Sequence, residues 1–436
     1  MTTIPQVARA MREILTTAAD EAARTTRFVQ RTSPLGGATF TQTLVFGFRG
    51  HPQASLEELP QTAATLGVES SPQALEQRFT TSAATWVTPV LDAALARGST
   101  AAPVALPVLA RFTAVAGQDR STIVLPDALA AVWPGGGGST PESTSAARKR
   151  PVRLDMRTGC LAVQFQDGRA SERTADWPGP LPAGALRLAD LGDWRREAWQ
   201  ALAQQGVCWL SRLQLQTAVY DAAGARQGLL AFLEASPTDT VEPQVTLGLD
   251  QRVPARLLAL RVPQDVAAAR RRRLRAAAQT KGRQGSAVRL ARAAWTVLVT
   301  NVPAARLTLR EALVLARVRW HIALLLQRWQ SQGRVDESRR TKPWRILCAV
   351  YAKLLAMLVQ HGVFVVSCWA YPDRSLTQAA QTVPKHALPL ARAFARVKRL
   401  TAALLTVKRC LAAGCRMNRR KKHPNTSQLL LDAIGP

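Results

Sequence analysis

The segment 118–126 reads QDRSTIVLP, an aspartate at the edge of a short run with the composition of a β-strand. A second segment, 185–190, reads ALRLAD and ends on an aspartate. Short apolar runs bounded by turn residues predict strands. Further runs of this kind fill residues 105–212, and a helical pattern over 194–205 separates two of them. Strands interrupted by a helix in this way predict an α/β core with a mixed sheet.

The region after this core has a different pattern. Residues 213–293 contain strand-like pieces joined by polar turns, followed by an arginine-rich stretch, and we interpret them as an insertion. Residues 295–303 then read as a core strand and its exit. Thr158-Gly159 is a hairpin-type turn. The predicted strands are 110–114, 121–125, 152–154, 161–165, 186–189, 207–210, 217–220, 228–233, 245–249 and 257–262.

Helical patterns dominate both ends of the chain. Residues 5–32 have apolar side chains at helical spacing, and residues 72–96 predict a second helix. The segment 55–58, SLEE, has the composition of a helix N-cap. A helix, a short turn and a helix fit a DNA-binding helix-turn-helix, with Arg78 on its second helix, and fit any helical bundle equally well.

The most apolar stretch, 344–369, contains Arg345, Lys353 and His361. Charged residues inside such a stretch favour a buried helix pair over a membrane span. The six cysteines form no CxxC pair and suggest neither a zinc site nor a disulfide framework. The N-terminus lacks the layout of a signal peptide, which predicts a cytosolic protein.

The charge of the chain points to a polyanionic partner. It contains 58 Lys+Arg against 29 Asp+Glu, a formal net charge of +29. The excess is concentrated in 265–295, with nine Lys/Arg and one acid, and in 339–436, with eighteen Lys/Arg and two acids. Basic surfaces of this kind bind nucleic acid through release of counterions. The alternatives on composition alone are a solvated basic surface and a ribosomal or membrane-surface protein.

Late in the chain a long helix is predicted, opening with the capping-box pattern Thr308–Glu311 and carrying ARVRWHIA over 316–323. Together with the segments around Asp119 and Asp190, it resembles the transposases of the bacterial insertion-sequence family numbered four, both in the order of the motifs and in their residues. Spacings of 71 residues from Asp119 to Asp190 and 133 from Asp190 to Ala323 agree with that family. The resemblance implies an Asp, Asp, Glu catalytic triad whose glutamate position is occupied by Ala323.

The family pattern on this helix is Tyr, two residues, Arg, three residues, Glu, six residues, Lys. Arg319 and the following Trp320 match it, whereas Ala316, Ala323 and Gln330 depart from it. Arg319 is a candidate for holding a phosphate or orienting the triad. The alternative role for it is a salt bridge on the helix surface.

No nearby acid is a good replacement for the missing glutamate. Glu311 is twelve residues before Ala323, about 18 Å along a helix, and is better explained as the cap. Glu337 lies fourteen residues after Ala323 and beyond Gly333. Asp193 already has a sufficient role as a helix N-cap.

The chemistry that the resemblance implies requires metal ions. Cleavage and strand transfer at a phosphodiester need two Mg²⁺ about 3.5–4 Å apart, held by carboxylates. Asp119 and Asp190 are the candidate metal ligands, with Mn²⁺ as a substitute ion. A single aspartate at a strand end is usually a turn residue, so the surrounding motifs carry the assignment.

The implied fold class is α/β, an RNase-H-like mixed-sheet core with a β-rich insertion, a helical N-terminal domain and a helical basic C-terminal region. The implied domains are a DNA-binding domain (1–104), the catalytic core (105–212 and 294–338), the insertion (213–293) and the basic region (339–436). The candidate DNA-binding residues are Arg212, Arg270, Arg271, Arg272, Arg273, Lys281, Arg283, Trp295 and Arg319.

The implied function is cleavage and transfer of DNA at the terminal inverted repeats of an insertion sequence, on a homodimer that pairs two ends and engages target DNA. The implied location is the bacterial cytoplasm, at the nucleoid, without a membrane partner. With Ala323 in place of glutamate, two readings remain open. One is a transposase with impaired activity, and the other is an inactive relative that binds the ends and represses transposition. A third, general reading is a basic nucleic-acid-binding protein of another kind.

Overall fold

The computed structural model describes residues 2–130, 133, 135, 146–164, 166–167, 179–189, 196–250, 252–280, 282, 284, 286–319, 333–335, 337, 342–418, 420, 424 and 428–430. Its helices in this part of the chain are α1 (Ile4–Glu13), α2 (Ala19–Thr25), α3 (Gly37–Gly50), α4 (Leu59–Thr65), α5 (Pro72–Arg78), α6 (Thr81–Ala96), α7 (Pro107–Ala110), α8 (Arg196–Gln204), α9 (Leu229–Glu234), α10 (Gln264–Gln279), α11 (Ala287–Arg292), α12 (309–319), α13 (Pro343–Phe364), α14 (Leu376–Thr382), α15 (Ala387–Ala393) and α16 (Val397–Gly414).

The strands alternate with these helices only in the middle of the chain. They are β1 (Val115–Leu125), β2 (Ala146–Asp155), β3 (Leu161–Val163), β4 (Gln166–Asp167), β5 (Leu186–Leu188), β6 (Cys208–Arg212), β7 (Val219–Tyr220), β8 (Arg226–Gln227), β9 (Thr240–Val241), β10 (Gln244–Leu247), β11 (Val253–Arg261) and β12 (Trp295–Thr300). The architecture is therefore mixed α/β, as the sequence predicts.

The chain divides into two compact units, each assembled from separate stretches of sequence. Unit 1 contains residues 1–105, 119–179 and 321–427, and unit 2 contains residues 106–118, 180–320 and 428–436. These boundaries differ from those of the four functional domains expected from the sequence, which stay predictions.

Unit 1 is mainly helical and has an aromatic centre. The rings of Phe28 and Trp86 stack with centroids 4.5 Å apart, and Phe40 contacts both. The Trp86 Nε1 donates a hydrogen bond to the carbonyl of Ala19 at 2.8 Å. This bond satisfies the only polar atom of a fully buried indole, so the ring contributes its whole apolar area to the core.

The first and last long helices of unit 1 pack against each other. α1 contacts α16. Its buried face consists of Ile4, Val7, Ala8 and Met11, and the buried face of α16 consists of Leu400, Leu404, Val407 and Leu411. Both sets recur at three- and four-residue intervals, the spacing that places side chains on one side of a helix.

α13 is a single helix of 22 residues that continues through a π-helical turn, Val365–Trp369. It replaces the helix pair expected over this stretch. Lys353 lies in it buried, with Nζ donating to the carbonyls of Arg334 and Glu337 at 2.6 and 3.1 Å. Among the residues with described coordinates, only Pro343–Trp369 is long and apolar enough to cross a membrane, and 83% of its most apolar window is buried inside the fold.

The sheet of unit 1 runs in the order β3-β2-β1, with β4 also paired to β2. β2 and β3 are antiparallel, and the turn between them contains Thr158-Gly159, which confirms the predicted hairpin. Gly159 has φ +70°, and its carbonyl accepts a hydrogen bond of 2.7 Å from His361 Nε2. Burial lowers the pKa of His361 to about 4, so this ring is neutral at pH 7.

Gly159 also lies against the indole of Trp369. A Cβ at this position would be 2.7 Å from the Trp369 Cδ2 atom. We expect Gly159→Ala to lower the free energy of unfolding by about 2 kcal/mol, through a left-handed backbone and a clash with a ring. Urea titration measures this loss. Gly67→Ala is the control, because Gly67 has φ +84° with nothing within 4 Å, and equal losses in the two variants would rule out the clash.

The sheet of unit 2 contains the start of β1 and runs in the order β1-β5-β6-β12-β11-β10-β7-β8, with β9 paired to β11. The first two pairings are parallel and the others are antiparallel. The strands of the predicted insertion, 213–293, thus extend the core sheet through the β11–β12 pair.

One apolar cluster of unit 2 joins α8 to this sheet. Trp199 of α8 and Trp209 of β6 are fully buried, with ring centroids 4.8 Å apart. The same cluster includes Val245, Leu257 and Val299 from three other strands. α8 is therefore held on the sheet by apolar contacts between a helix and strands, the layering that an α/β core requires.

Several predicted elements have other bounds or another type. The run 110–114 is not a strand, because Pro107 opens the short helix α7 and the strand begins only at Val115. The run 228–233 is the helix α9, with apolar residues recurring at helical spacing. The helix expected over 5–32 ends at Thr25 and contains a π-helical turn, Ile14–Ala18.

The helix expected over 72–96 consists of two helices, α5 and α6. The Ser71 hydroxyl caps the first by accepting from the amide of Ala74, and the Thr80 hydroxyl caps the second by accepting from that of Ala83. Arg78 donates to the Ser33 hydroxyl and lies over the ring of Phe28 at 5.6 Å. The segment 55–58 is a turn that precedes α4.

Candidate functional site

The sequence predicts Asp119 at the edge of a strand. In the structure it lies within β1. The difference arises because residues 115–117 pair with β5 and lengthen the strand on its N-terminal side. Asp119 is half-buried. Alternate residues of a strand share a face, so it lies on the same side as the buried Ile123 and Leu125.

The register between β1 and β5 bears on the second aspartate. The strands are parallel, and Gly117 of β1 is paired with Leu188 of β5, an offset of 71 residues. The same offset separates Asp119 from Asp190 in the sequence. Each aspartate therefore comes two residues after a paired position. Asp190 itself lies outside the described residues, as does Asp193.

α12 begins with the predicted capping box. The Thr308 amide donates to the Glu311 carboxylate at 2.9 Å, and the Glu311 amide donates to the Thr308 hydroxyl at 3.3 Å. Arg111, from the end of α7, also donates to both carboxylate oxygens of Glu311 at 2.8 Å each. Glu311 is 4% exposed, so this is a buried carboxylate with a bidentate partner.

The pKa of Glu311 is lower than the ordinary value of 4.5. Burial alone would raise it, but hydrogen bonds from Arg111 and Thr308 and the charge of Arg111 outweigh burial. Glu311 is therefore a structural anion that fastens α12 to α7 within unit 2.

Arg319 is near the end of the described part of α12 and is 5% exposed. Ala316, one turn earlier, is half-buried. Arg319 is thus not a surface residue, which argues against the exposed salt bridge considered from the sequence. Ala323 and Gln330 lie outside the described residues.

A cleft of about 930 Å³ in unit 2 gathers much of the predicted basic surface. Its walls come from β12 with the helices α10 and α11 and from the segment after β6. Among the described residues that line it are five arginines and no acid. We call it the arginine cleft; it is lined by Arg212, Leu213, Gln214, Leu215, Gln216, Arg270, Arg273, Leu274, Ser286, Val288, Arg289, Arg292, Ala293, Trp295, Thr296 and Val297.

The structure brings together some of the predicted DNA-binding residues and not others. Those that line the arginine cleft are Arg212, Arg270, Arg273 and Trp295. Arg271 and Arg272 lie on α10 outside the lining, and Arg319 lies on α12. Lys281 and Arg283 are outside the described residues. Sequence reasoning missed Arg289 and Arg292, although their three-residue spacing in a short helix was a usable signal.

Two of the cleft arginines are anchored by backbone carbonyls. Arg270 donates from Nη1 to the carbonyl of Trp295 at 3.3 Å and from Nη2 to the Thr296 hydroxyl at 3.1 Å. Arg292 donates to the carbonyl of Leu213. Outside the lining, Arg271 likewise donates to the carbonyl of Leu290 at 3.1 Å. These bonds fix α10 and α11 beside the sheet.

The cleft arginines also influence each other electrostatically. Burial lowers the pKa of Arg270, and the charge of Arg212 lowers it further. The same two causes, in the same order, lower the pKa of Arg292 to about 10. The cleft is therefore a concentrated positive charge that attracts polyanions.

Trp295 is 4% exposed, with the guanidinium of Arg261 over its ring at 4.6 Å. Its indole is part of the core cluster of unit 2. The contribution of Trp295 to the cleft is therefore a rigid wall.

Residues 119–359 match the family described as "Transposase DDE domain". The transposase for insertion sequence element IS231C of Bacillus thuringiensis subsp. berliner is 24% identical over 453 aligned residues, covering 95% of this chain and 92% of the relative.

Two further relatives have similar identities. The transposase for IS231F of Bacillus thuringiensis subsp. israelensis is 23% identical over 450 residues, covering 95% of this chain and 92% of its own length. The InsL protein of insertion sequence element IS186A of Escherichia coli (strain K12) is 26% identical over 284 residues, covering 62% of this chain and 72% of its own length.

Proposed function

Because the chain belongs to the DDE-domain transposase family, we propose that it binds the terminal inverted repeats of its own insertion sequence and catalyses cleavage and transfer of their DNA strands. The family match, which spans residues 119–359, is the observation that carries this proposal. We also propose the narrower assignment to the bacterial insertion-sequence family numbered four.

The proposed core is RNase-H-like. Within unit 2, the neighbouring strands β1, β5 and β6 are parallel, and α8 connects the last two. Within unit 1, β2 and β3 form an antiparallel hairpin that follows β1. Parallel and antiparallel pairs joined in this way support the mixed sheet expected for such a core.

Asp119 and Asp190 are the proposed metal ligands. The sequence around each supports this, since Asp119 precedes the run 121–125 and Asp190 ends the apolar run 185–189. Carboxylate oxygens are the donors that Mg²⁺ prefers, and Mn²⁺ accepts the same ligands. Two such ions would relieve negative charge on the attacking and leaving oxygens. The two aspartates would hold the ions, and Arg319 would orient this site or hold a phosphate.

The arginine cleft is the proposed DNA-contacting surface of unit 2. Its described lining contains five arginines and no acid. A guanidinium group binds a phosphate through two parallel hydrogen bonds, so this surface fits the phosphates of DNA. We further propose a homodimer on paired ends and a cytoplasmic, nucleoid-associated location. The substrates are the element ends and the target DNA.

Ala323 supports a second candidate function. A chain that lacks the family glutamate but keeps the basic surfaces would occupy element ends without cutting them. Such a protein would repress transposition by active copies. Binding and cleavage therefore have to be measured separately, and inverted repeats that flank the coding sequence are the correct DNA.

Binding to a labelled element end is expected to weaken steeply as the salt concentration rises. Each neutralised phosphate contributes about −0.9 to the slope of log K against log salt, so five contacting arginines would give roughly −4.5. Fluorescence anisotropy between 50 and 300 mM salt measures this slope. A slope shallower than about −3 would contradict an extensive phosphate-contacting surface.

A substitution in the arginine cleft tests whether this surface contacts the DNA. Arg273→Gln removes one exposed cleft guanidinium and should reduce the magnitude of the slope by about 1, equally for end and scrambled DNA. Arg226→Gln, at an exposed position of β8 outside the cleft lining, is the matched control. If both variants change the slope alike, the cleft is not the contact surface.

A further inference from the structure

The second half of α10 is exposed on all sides. Ala267 is the one buried residue of this helix of 16 residues, and every residue from 272 to 277 is exposed. The first half is fastened to unit 2, because Arg270 and Arg271 donate to backbone carbonyls of β12 and α11. The half that begins at Arg272 therefore projects from unit 2 into solvent.

Neither burial nor charge pairing accounts for this projecting half. Burial of an apolar stripe normally holds a helix on its domain, whereas no residue from 272 to 279 is buried. Arg272 and Arg275 are three residues apart on one side of the helix, and like charges at this spacing repel each other. Their side chains form no hydrogen bond or ion pair within the described part of the chain. Departures from local rules of this kind are expected at functional sites.

The charge of the projection extends beyond the helix. The connection to α11, residues 280–286, contains a lysine, an arginine and no acid in its sequence. A polyanion would relieve the repulsion between these positive charges. The partner that fits the projection is therefore strongly negative.

Four residues share one side of the projecting half, because they are at positions i, i+3, i+4 and i+7. We call this set the α10 face: Arg272, Arg275, Ala276 and Gln279. All four are exposed, and none of them lines the arginine cleft. In the major groove of DNA, arginine recognises guanine through O6 and N7, glutamine recognises adenine, and alanine contacts the methyl group of thymine. The α10 face thus combines three side-chain types that distinguish bases.

The dimensions of the projecting half fit the same groove. An α-helix with its side chains is about 10–12 Å across. The major groove is about 12 Å wide and about 8.5 Å deep. Arg272 and Gln279 are seven residues apart, or about 10 Å along the helix axis. That length corresponds to roughly three base pairs at about 3.4 Å each.

We propose that the α10 face enters the major groove of the element end and reads its base pairs, with Arg272 and Arg275 bonded to guanines. This proposal rests on the proposed function, since it requires a chain that binds element ends. It adds a surface to the arginine cleft, because the cleft residues Arg270, Arg273 and Leu274 lie on the other side of α10. The cleft would hold phosphates, which carry no sequence information, and the α10 face would supply specificity.

The first test compares two DNA duplexes with the full chain. One carries the inverted repeat that flanks the coding sequence, and the other carries a scrambled sequence of the same length. The double alanine variant, Arg272→Ala with Arg275→Ala, should lower the ratio of end affinity to scrambled affinity by about tenfold or more, because each pair between arginine and guanine contributes to discrimination. Fluorescence anisotropy at one salt concentration measures both affinities.

The variants need a control for folding and for charge. Both substituted arginines are exposed and alanine favours helix, so the double alanine variant should melt at the temperature of the original chain. Arg226→Ala, at an exposed position of β8, is the matched control and should keep the original affinity ratio.

Modified bases identify the groove. Replacing guanine with 7-deazaguanine removes the N7 acceptor from the major groove, and inosine in place of guanosine removes the N2 amino group from the minor groove. The original chain should bind the 7-deazaguanine end about fivefold more weakly or worse, and the double alanine variant should lose much less, because the arginines that use N7 are absent. Inosine should affect the two chains equally.

The outcomes separate this proposal from the proposed function. If the original chain binds the end no better than scrambled DNA, specific end binding fails and the proposal fails with it. If the original chain prefers the end and the double alanine variant keeps that preference, end binding stands and the α10 face reads no bases. Equal losses on both duplexes would make it a phosphate contact, which also contradicts the proposal. An equal loss of both chains on 7-deazaguanine DNA would assign guanine recognition to other residues.

Discussion

Ala323→Glu is expected to raise cleavage of DNA carrying the element ends by about a hundredfold or more, the size of effect seen when a preorganised electrostatic group is restored. The physical reason is charge. A third carboxylate would complete the anionic ligand set that keeps two metal ions in register with the phosphate. The chain as written should cleave weakly or not at all. Ala316 and Gln330 stand where the family has tyrosine and lysine, and they will limit the rescue.

The assay is nicking of a labelled element end with Mg²⁺ or Mn²⁺. It compares the chain as written, Ala323→Glu, and Ala323→Glu combined with Asp119→Asn, which should abolish the gain. End binding by the same proteins serves as the control for folding. If the chain as written cleaves as fast as Ala323→Glu, and Asp119→Asn alone abolishes cleavage, another acid supplies the third carboxylate. Asp193 would then be the first candidate.

Glu311→Ala is expected to lower the free energy of unfolding by about 2 kcal/mol, because it removes the charge-assisted hydrogen bonds from Arg111 and half of a capping box. The carboxylate accepts from Arg111 on both oxygens and from the Thr308 amide. Urea titration at pH 7 measures the loss. Glu234→Ala, at an exposed position of α9 in the same unit, should change stability by no more than about 0.5 kcal/mol.

The pH dependence gives a second readout of the same carboxylate. The pKa of Glu311 is lowered in the folded chain, so its contribution is present above the unfolded-state value of 4.5 and is lost as the pH falls through the folded-state pKa. The stability difference between the original chain and Glu311→Gln should therefore shrink as the pH falls below about 4.5. A difference that stays constant from pH 7 to pH 3 would show that the charge of Glu311 contributes nothing.

The strands that the sequence predicts well are those with several aliphatic residues, such as β12. β1 is longer than predicted, because the stretch before Asp119 contains Gly117 and Gln118 and has no strand composition of its own. Its pairing with β5 makes it a strand. Long-range pairing of this kind leaves no local signal in a single sequence.

The helix α3 shows the opposite difficulty. Eleven of its fourteen residues are buried, so it has no polar face and no helical period to detect. The run 228–233 predicts a strand but forms the helix α9, because six mostly apolar residues fit a short strand and a short helix equally well. Secondary structure is least predictable from sequence where tertiary burial, and not periodicity, determines the element.

The candidate site was predictable to a different extent. Three sequence motifs were sufficient to predict the family: the segments around Asp119 and Asp190 and the helix that begins with the capping box at Thr308. The arginine cleft was found only in part, since Arg289 and Arg292 come from a short helix whose position beside β12 depends on the fold.

The packing of α1 against α16 has a consequence for synthesis. α1 leaves the ribosome well before α16, because Val397 follows Glu13 by 384 positions. At about 5–20 residues per second, roughly 20–80 s pass before the partner of the apolar α1 face has been made. During that interval the nascent chain exposes an apolar surface that chaperones can bind. A chain that ends before Val397 would leave this surface exposed permanently, so such fragments are expected to aggregate or be degraded.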